Sequence, residues 1–207
     1  HHGCVHRLGR DRSTVGTFGA GAARKRPHIV AKQPARLARS LSEGECALLR
    51  PVFADALDYA AVRIVRGKFM PFQLRHVAMS PNGSIYLPAD LYHDDFSKQP
   101  AHWQSLWLHE CTHVWQHRLG YPVLRCGICL ALQGGYIKCA AYRYGHLLPH
   151  CHDLSQFNME QQACIVADYF IGLWHTGQEN PALAAVLQRF LQQPNNVDLL
   201  PKSMRIR

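Results

Sequence analysis

The sequence predicts an α+β domain, mostly helical, with a small edge β-sheet. Three observations carry that prediction. Apolar residues recur every three or four positions in four separate segments, the signature of helices with one buried stripe. Two short apolar runs flank Ser80-Pro81-Asn82-Gly83-Ser84, a turn sequence. The strongest helical segment carries the pattern H-E-x-x-H. At 207 residues, the chain is long enough to bury one sizeable core.

The elements follow in order. Ser42 with Glu45 three residues on forms a capping box, and the apolar positions Cys46, Leu49, Phe53, Leu57, Ala60 and Ile64 extend the stripe behind it. Pro51 kinks that helix or opens its second half; Val62–Val65 reads alternatively as a first strand. Val77–Met79 and Ile85–Leu87 pair as a hairpin, because Asn-Gly accepts positive φ. Pro88 stops the second strand and marks an edge, since proline cannot donate to a ladder. Ala101–Leu119 is the strongest helix, ended by Gly120 and Pro122. Residues 121–157 give no clear assignment. Asn158–Thr176 reads as a helix, and Asn180-Pro181 opens a last one to about Gln192.

Composition narrows the function. The formal net charge is +9, which on its face suggests an anionic partner such as nucleic acid. Its distribution argues otherwise. Residues 1–40 hold nine basic residues and one acid, +8, leaving 14 basic and 13 acidic residues, +1, for the remainder. Residues 1–40, with Gly16, Gly19, Gly21, Pro27 and Pro34, read as a flexible basic linker or arm, and 41–207 as the folded domain. No specific nucleic acid is therefore expected. No run of eighteen apolar residues exists, so no transmembrane segment is expected, and no signal peptide is visible. The chain opens His1-His2-Gly3 and is expected to be a piece of a longer protein.

His109-Glu110-Cys111-Thr112-His113 carries the chemistry. With 14 His and five Glu in 207 residues, chance supplies about 0.02 such matches. Histidines at i and i+4 share one helical face, so both imidazoles reach one Zn²⁺. Glu110 sits beside the first of them, placed to take a proton from metal-bound water. Trp103, Leu106, Trp107, Leu108, Val114 and Trp115 mark a largely buried helix, where unpartnered histidines would be costly. A metzincin needs Gly and His at three and six residues after the second histidine; Gln116 and Leu119 stand there. The third ligand is then sought among later acids, and Glu160, in Asn158-Met159-Glu160-Gln161-Gln162-Ala163, is the choice. Asp168, near the same helical face, is a candidate to orient a ligand histidine.

Ser80-Pro81-Asn82-Gly83-Ser84-Ile85-Tyr86, Leu108-His109-Glu110-Cys111-Thr112-His113-Val114-Trp115-Gln116, the Asn158–Ala163 stretch and Asp168-Tyr169-Phe170 together resemble the gluzincin-like metallopeptidase domains. Such domains end bacterial type VI secretion spike proteins of the VgrG type and Rhs-type toxins. The resemblance covers residues 42–192. It implies a zincin-like fold with zinc on His109, His113 and Glu160, and Glu110 as catalytic base. It also implies an antibacterial effector, fused to a larger delivery protein, secreted into a target cell's periplasm or envelope, cutting a peptide or protein substrate and countered by an immunity protein. The pattern departs at Cys111, where a medium apolar residue is usual, and at Cys164, where thermolysin-like gluzincins place Asp. Tyr169, His175 and Tyr136 are candidates to stabilise the oxyanion.

Eight cysteines leave a further question. Cys126, Cys129, Cys139 and Cys151 form disulfides, bind a second zinc with His150 or His152, or stay free. Three rival functions stand beside the peptidase: a non-catalytic metal-stabilised binding domain, a cell-wall amidase, and a nucleic-acid-binding module using the basic arm.

Overall fold

The computed structural model describes residues 37–206, apart from 72 and 74. The flexible-arm expectation for residues 1–36 lies outside the described residues. Leu37–Arg39, assigned to the arm, instead form a strand, β1. The reason is long-range. The Arg39 guanidinium makes two bonds of 2.7 Å to the carboxylate of Glu45, which is buried and also accepts from the backbone N–H groups of Ser42 (2.8 Å) and Phe96 (2.9 Å).

Helix α1 spans Glu43–Phe53 behind the anticipated Ser42–Glu45 capping box. It stops eleven residues short of Ile64. Ala54 takes φ 43°, and a single 3₁₀ turn, Ala54–Ala56, follows. The stripe misled because Leu57 and Ile64 are buried in the same core from other elements. Ile64 belongs to β2, Arg63–Arg66, the alternative reading of that stretch. Strand β3 spans Ser84–Leu87. The sheet runs β1-β2-β3, with β1 antiparallel and β3 parallel to β2, Ile64 standing opposite both Arg39 and Ile85. The expected hairpin shrinks to one antiparallel bridge, Met79 with Tyr86, while β3 makes its strand pairing in parallel with β2. Strand β3 lies at one edge of the sheet, as β1 does at the other, and Pro88 follows it.

Helix α2 spans Ala101–Arg118 and is followed by Gly120 at φ +91°. Helix α3, Val123–Leu132, went unread because Gly127 and two cysteines interrupt its pattern. A 3₁₀ segment, Ile137–Tyr142, follows. Helix α4 spans Met159–Thr176, one residue later than read because Asn158 is its N-cap, and α5 spans Pro181–Gln192 behind Asn180, as read. The core lies between the sheet, α1, α2, α4 and α5. Phe190 meets Phe53 and Trp115 edge-on at 6.0 and 5.2 Å, and Phe96 stacks on Trp107 at 6.0 Å, geometries that aromatic quadrupoles favour. Helix α4 packs along α2, which buries α2 from Leu106 to Gln116 and sets polar side chains of both helices against one another. No helix among the described residues is long and apolar enough to cross a membrane.

Candidate metal centre

The two histidines of α2 are one turn apart and point the same way, as helical geometry requires. Their ring centroids are 4.8 Å apart at 83°. Helix α4 supplies the third group from its first turn. The Asn158 side chain accepts from the backbone N–H of Glu160 (3.0 Å) and Gln161 (2.9 Å), and the Gln161 side chain accepts from the N–H of Asn158. That double cap holds Glu160 where the helix dipole favours a carboxylate.

Three atoms converge. Nε2 of His109 lies 3.0 Å from Oε2 of Glu160, Nε2 of His113 lies 3.2 Å from the same oxygen, and the two nitrogens are 3.1 Å apart. All three side chains are buried. Hydrogen bonds alone do not satisfy this triangle. An N–H points along one line, and corners of about 60° leave some pairs without a proton between them. A cation does satisfy it: ligand atoms 2.0–2.2 Å from a tetrahedral zinc stand about 3.3 Å from each other. Among the described residues this is the group of three or more His, Cys, Asp or Glu side chains that could hold a metal ion.

The far sides of the rings are also engaged. The Nδ1 of His113 lies 2.8 Å from Oε1 of Gln116. The amide orientation follows from carbonyls that can only accept. Gln162 donates to the carbonyls of Leu154 and Leu199 (2.8 Å each), so its oxygen faces Gln116. Gln116 in turn donates to that oxygen (3.0 Å) and to the Met159 carbonyl (3.1 Å). Oε1 of Gln116 therefore accepts from Nδ1–H of His113, which turns the lone pair of Nε2 toward the centre. On His109, Nδ1 lies 3.7 Å from Sγ of Cys164.

Two hydroxyl groups hold the two carboxylates. Ser80 donates to Oε2 of the buried Glu110 at 2.7 Å. Tyr136 donates to Oε1 of Glu160 at 2.9 Å. The Tyr142 ring lies between, 6.0 Å from His109 and 5.8 Å from Tyr136.

The electrostatics are those of a tight ion pair. Burial alone would lower the pKa of His113, but the Glu160 carboxylate outweighs it and raises it to about 9. Burial likewise works against the Glu160 carboxylate, and the two histidines hold its pKa well below the ordinary value. Burial, with the Glu160 charge added, pushes the phenols of Tyr136 and Tyr142 up, so both stay protonated. Burial, then Asp168 and Glu160, keeps Cys164 a neutral thiol.

His109, Glu110, His113 and Glu160 are thus brought together, and Tyr136 reaches them. Tyr169 and His175 do not. Tyr169 is nine residues beyond Glu160, about 180° round α4, and donates to Glu179 at 2.5 Å. His175 lies about 22 Å along the helix from Glu160, with Nε2 2.8 Å from Oε1 of Gln104. Asp168 accepts from Tyr144 at 2.6 Å. Cys126, Cys129 and Cys151 are free thiols, and Cys139 is disulfide-bonded. No second cluster of potential metal ligands forms among the described residues. Sequence reasoning missed Ser80, Gln116, Gln162 and Tyr142. Gln116 had a signal, since it sits one turn after His113.

Fold and site together define an α+β domain built around a buried His-His-Glu cluster on two packed helices. No protein-family model matches the chain. The type VI secretion system spike protein VgrG2b of Pseudomonas aeruginosa is 36% identical over 173 residues, 82% of this chain. The chain spans only 17% of that protein's length. The solved effector domain of Pseudomonas aeruginosa VgrG2b is 35% identical and superposes with a TM-score of 0.60, covering 78% of this chain and 87% of that domain. The chain belongs to the family of VgrG2b-type effector domains.

Proposed function

We propose that this domain is a zinc-dependent metallopeptidase with a zincin-like, gluzincin-type site, exported with a type VI secretion spike and acting in the periplasm or envelope of a target bacterium. The observation that carries the proposal is the convergence of His109 Nε2, His113 Nε2 and Glu160 Oε2 within 3.0–3.2 Å, with Glu110 next to His109 on the helix that carries both histidines. When bound, zinc supplies Lewis-acid polarisation of a scissile carbonyl and lowers the pKa of water toward 7. The chain's own groups do the rest. His109, His113 and Glu160 offer three donor atoms, and the Gln116 amide keeps His113 in the tautomer that binds. The Glu110 carboxylate, oriented by the Ser80 hydroxyl, takes the proton of the attacking water and returns it to the leaving nitrogen. Burial of Glu110 keeps bulk water from competing for its proton.

Kinship with a domain described as an effector, and with a spike protein of a type VI system, supports delivery on a larger protein; a cognate immunity protein in the producing cell is part of the proposal. The test is direct. Purified protein holds about one zinc per chain, and Glu110→Ala keeps that zinc while losing peptide hydrolysis and toxicity in the periplasm. Retained toxicity in that variant refutes the catalytic role; a zinc-free wild type refutes the metal centre.

A further inference from the structure

We infer that Tyr136 is the positioning residue that makes Glu160 a one-oxygen ligand and so keeps a coordination position on the bound metal available for water and substrate. The inference rests on the zinc reading above and deepens it. The two oxygens of Glu160 have divided work. Oε2 faces both histidine nitrogens, at 3.0 and 3.2 Å, while Oε1 accepts the phenol of Tyr136 at 2.9 Å. A carboxylate whose second oxygen is held by a hydrogen bond cannot swing that oxygen onto the metal without breaking the bond. Ligand carboxylates free of such a partner readily bind through both oxygens and fill the position that a hydrolytic site needs open.

The phenol is held in place by the backbone around it. Tyr136 leads into the 3₁₀ segment Ile137–Tyr142, and that segment is riveted to the start of α4. Asn158 donates to the Ala141 carbonyl (3.2 Å), and Gln161 donates to the Arg143 carbonyl (2.8 Å). Asn158 and Gln161 are also the two residues that cap α4 around Glu160. Tyr136 and Glu160 are thus two ends of one short, cross-braced unit. Gly135 lets the chain pass closely enough: a Cβ there would lie 2.8 Å from the Leu130 carbonyl and 3.0 Å from Ala141 Cβ. Tyr136 is 41% exposed as a residue, while its hydroxyl reaches Glu160. A change to Phe keeps the ring and removes the hydroxyl with its bond to Glu160.

The experiment uses the 207-residue chain, wild type and Tyr136→Phe, with zinc affinity measured by chelator competition and the visible absorption of the cobalt-substituted protein as second readout. Tyr136→Phe is expected to weaken zinc binding about tenfold to a hundredfold. The cobalt bands are expected to lose intensity as the second Glu160 oxygen raises the coordination number. An unchanged dissociation constant together with an unchanged cobalt spectrum overturns the role of Tyr136 and leaves the metal centre standing. A wild type that binds no zinc overturns the metal centre itself. If the metal-free Tyr136→Phe protein melts lower than wild type, the Glu160→Gln background decides. Adding Tyr136→Phe there leaves zinc affinity unchanged when the phenol acts through the carboxylate, and a second full-sized drop overturns the inference.

Discussion

Replacing Gln116 by Leu tests the second layer of the site without requiring any assay of hydrolysis. The change keeps roughly the same volume in a fully buried position and removes three hydrogen bonds at once. Nδ1–H of His113 loses its acceptor, and Oε1 of Gln162 and the Met159 carbonyl lose their donor. Each orphaned buried group costs about 1–3 kcal/mol, and the apolar Leu recovers part of that by burying its methyls. The net loss is about 3 kcal/mol in the metal-free protein, a large share of a typical domain's 5–15 kcal/mol. With a urea m-value of about 2 kcal/mol/M, the unfolding midpoint falls by about 1.5 M. Zinc affinity falls about tenfold or more, because His113 no longer has its tautomer selected. Gln116→Glu separates the two effects. A carboxylate still accepts from His113 but donates to neither Met159 nor Gln162, so stability falls while zinc binding holds. A Leu variant with an unfolding midpoint within about 0.3 M of wild type would refute the reasoning, since the network would then contribute nothing.

Three further predictions follow from the same geometry. In chelator-treated protein, His113 has its pKa raised from 6.5 to about 9, chiefly against burial by Glu160; a raised histidine stabilises below its unfolded value and loses that contribution as pH rises through the folded one. The metal-free unfolding free energy therefore declines between pH 6.5 and 9, by on the order of 3 kcal/mol, while zinc affinity climbs over the same range as the proton is displaced; a stability that rises with pH contradicts the ion pair. Ser80→Ala removes the donor to Glu110 and lowers kcat about tenfold to a hundredfold, from about 1.5–3 kcal/mol of charge-assisted bonding, with KM and zinc content held and Ser80→Thr restoring part of the rate; unchanged kcat would show that Glu110 needs no such partner. Gly135→Ala drives a Cβ against the Leu130 carbonyl and Ala141, costing about 1–3 kcal/mol in thermal unfolding and weakening zinc binding through the displaced Tyr136, an effect absent if the segment moves freely.

What was legible in the sequence was local. The His109–His113 face follows from 3.6 residues per turn, and the caps at Ser42 and Asn180 follow from side chains bonding to N–H groups two or three residues on. Glu160 as partner of the two histidines came from counting the few later acids that sit in a helix. The first helix was drawn too long because apolar spacing records burial, and Leu57 and Ile64 are buried from a turn and a strand as well as they would be from a helix. Only the tertiary structure decided which side chains surround the cluster. Ser80 reaches Glu110 across 30 residues, Tyr136 reaches Glu160 across 24, and Gln116 meets Gln162 across 46. Those meetings depend on where β3, the segment after α3, and α4 come to rest against α2. That is settled by packing over the whole core, so it leaves no periodic trace along the chain. The sequence determined that one helix carries two histidines one turn apart with a glutamate between them. The fold decided that a serine, a tyrosine and two glutamines hold them in register, because hydrogen bonds form between neighbours in space.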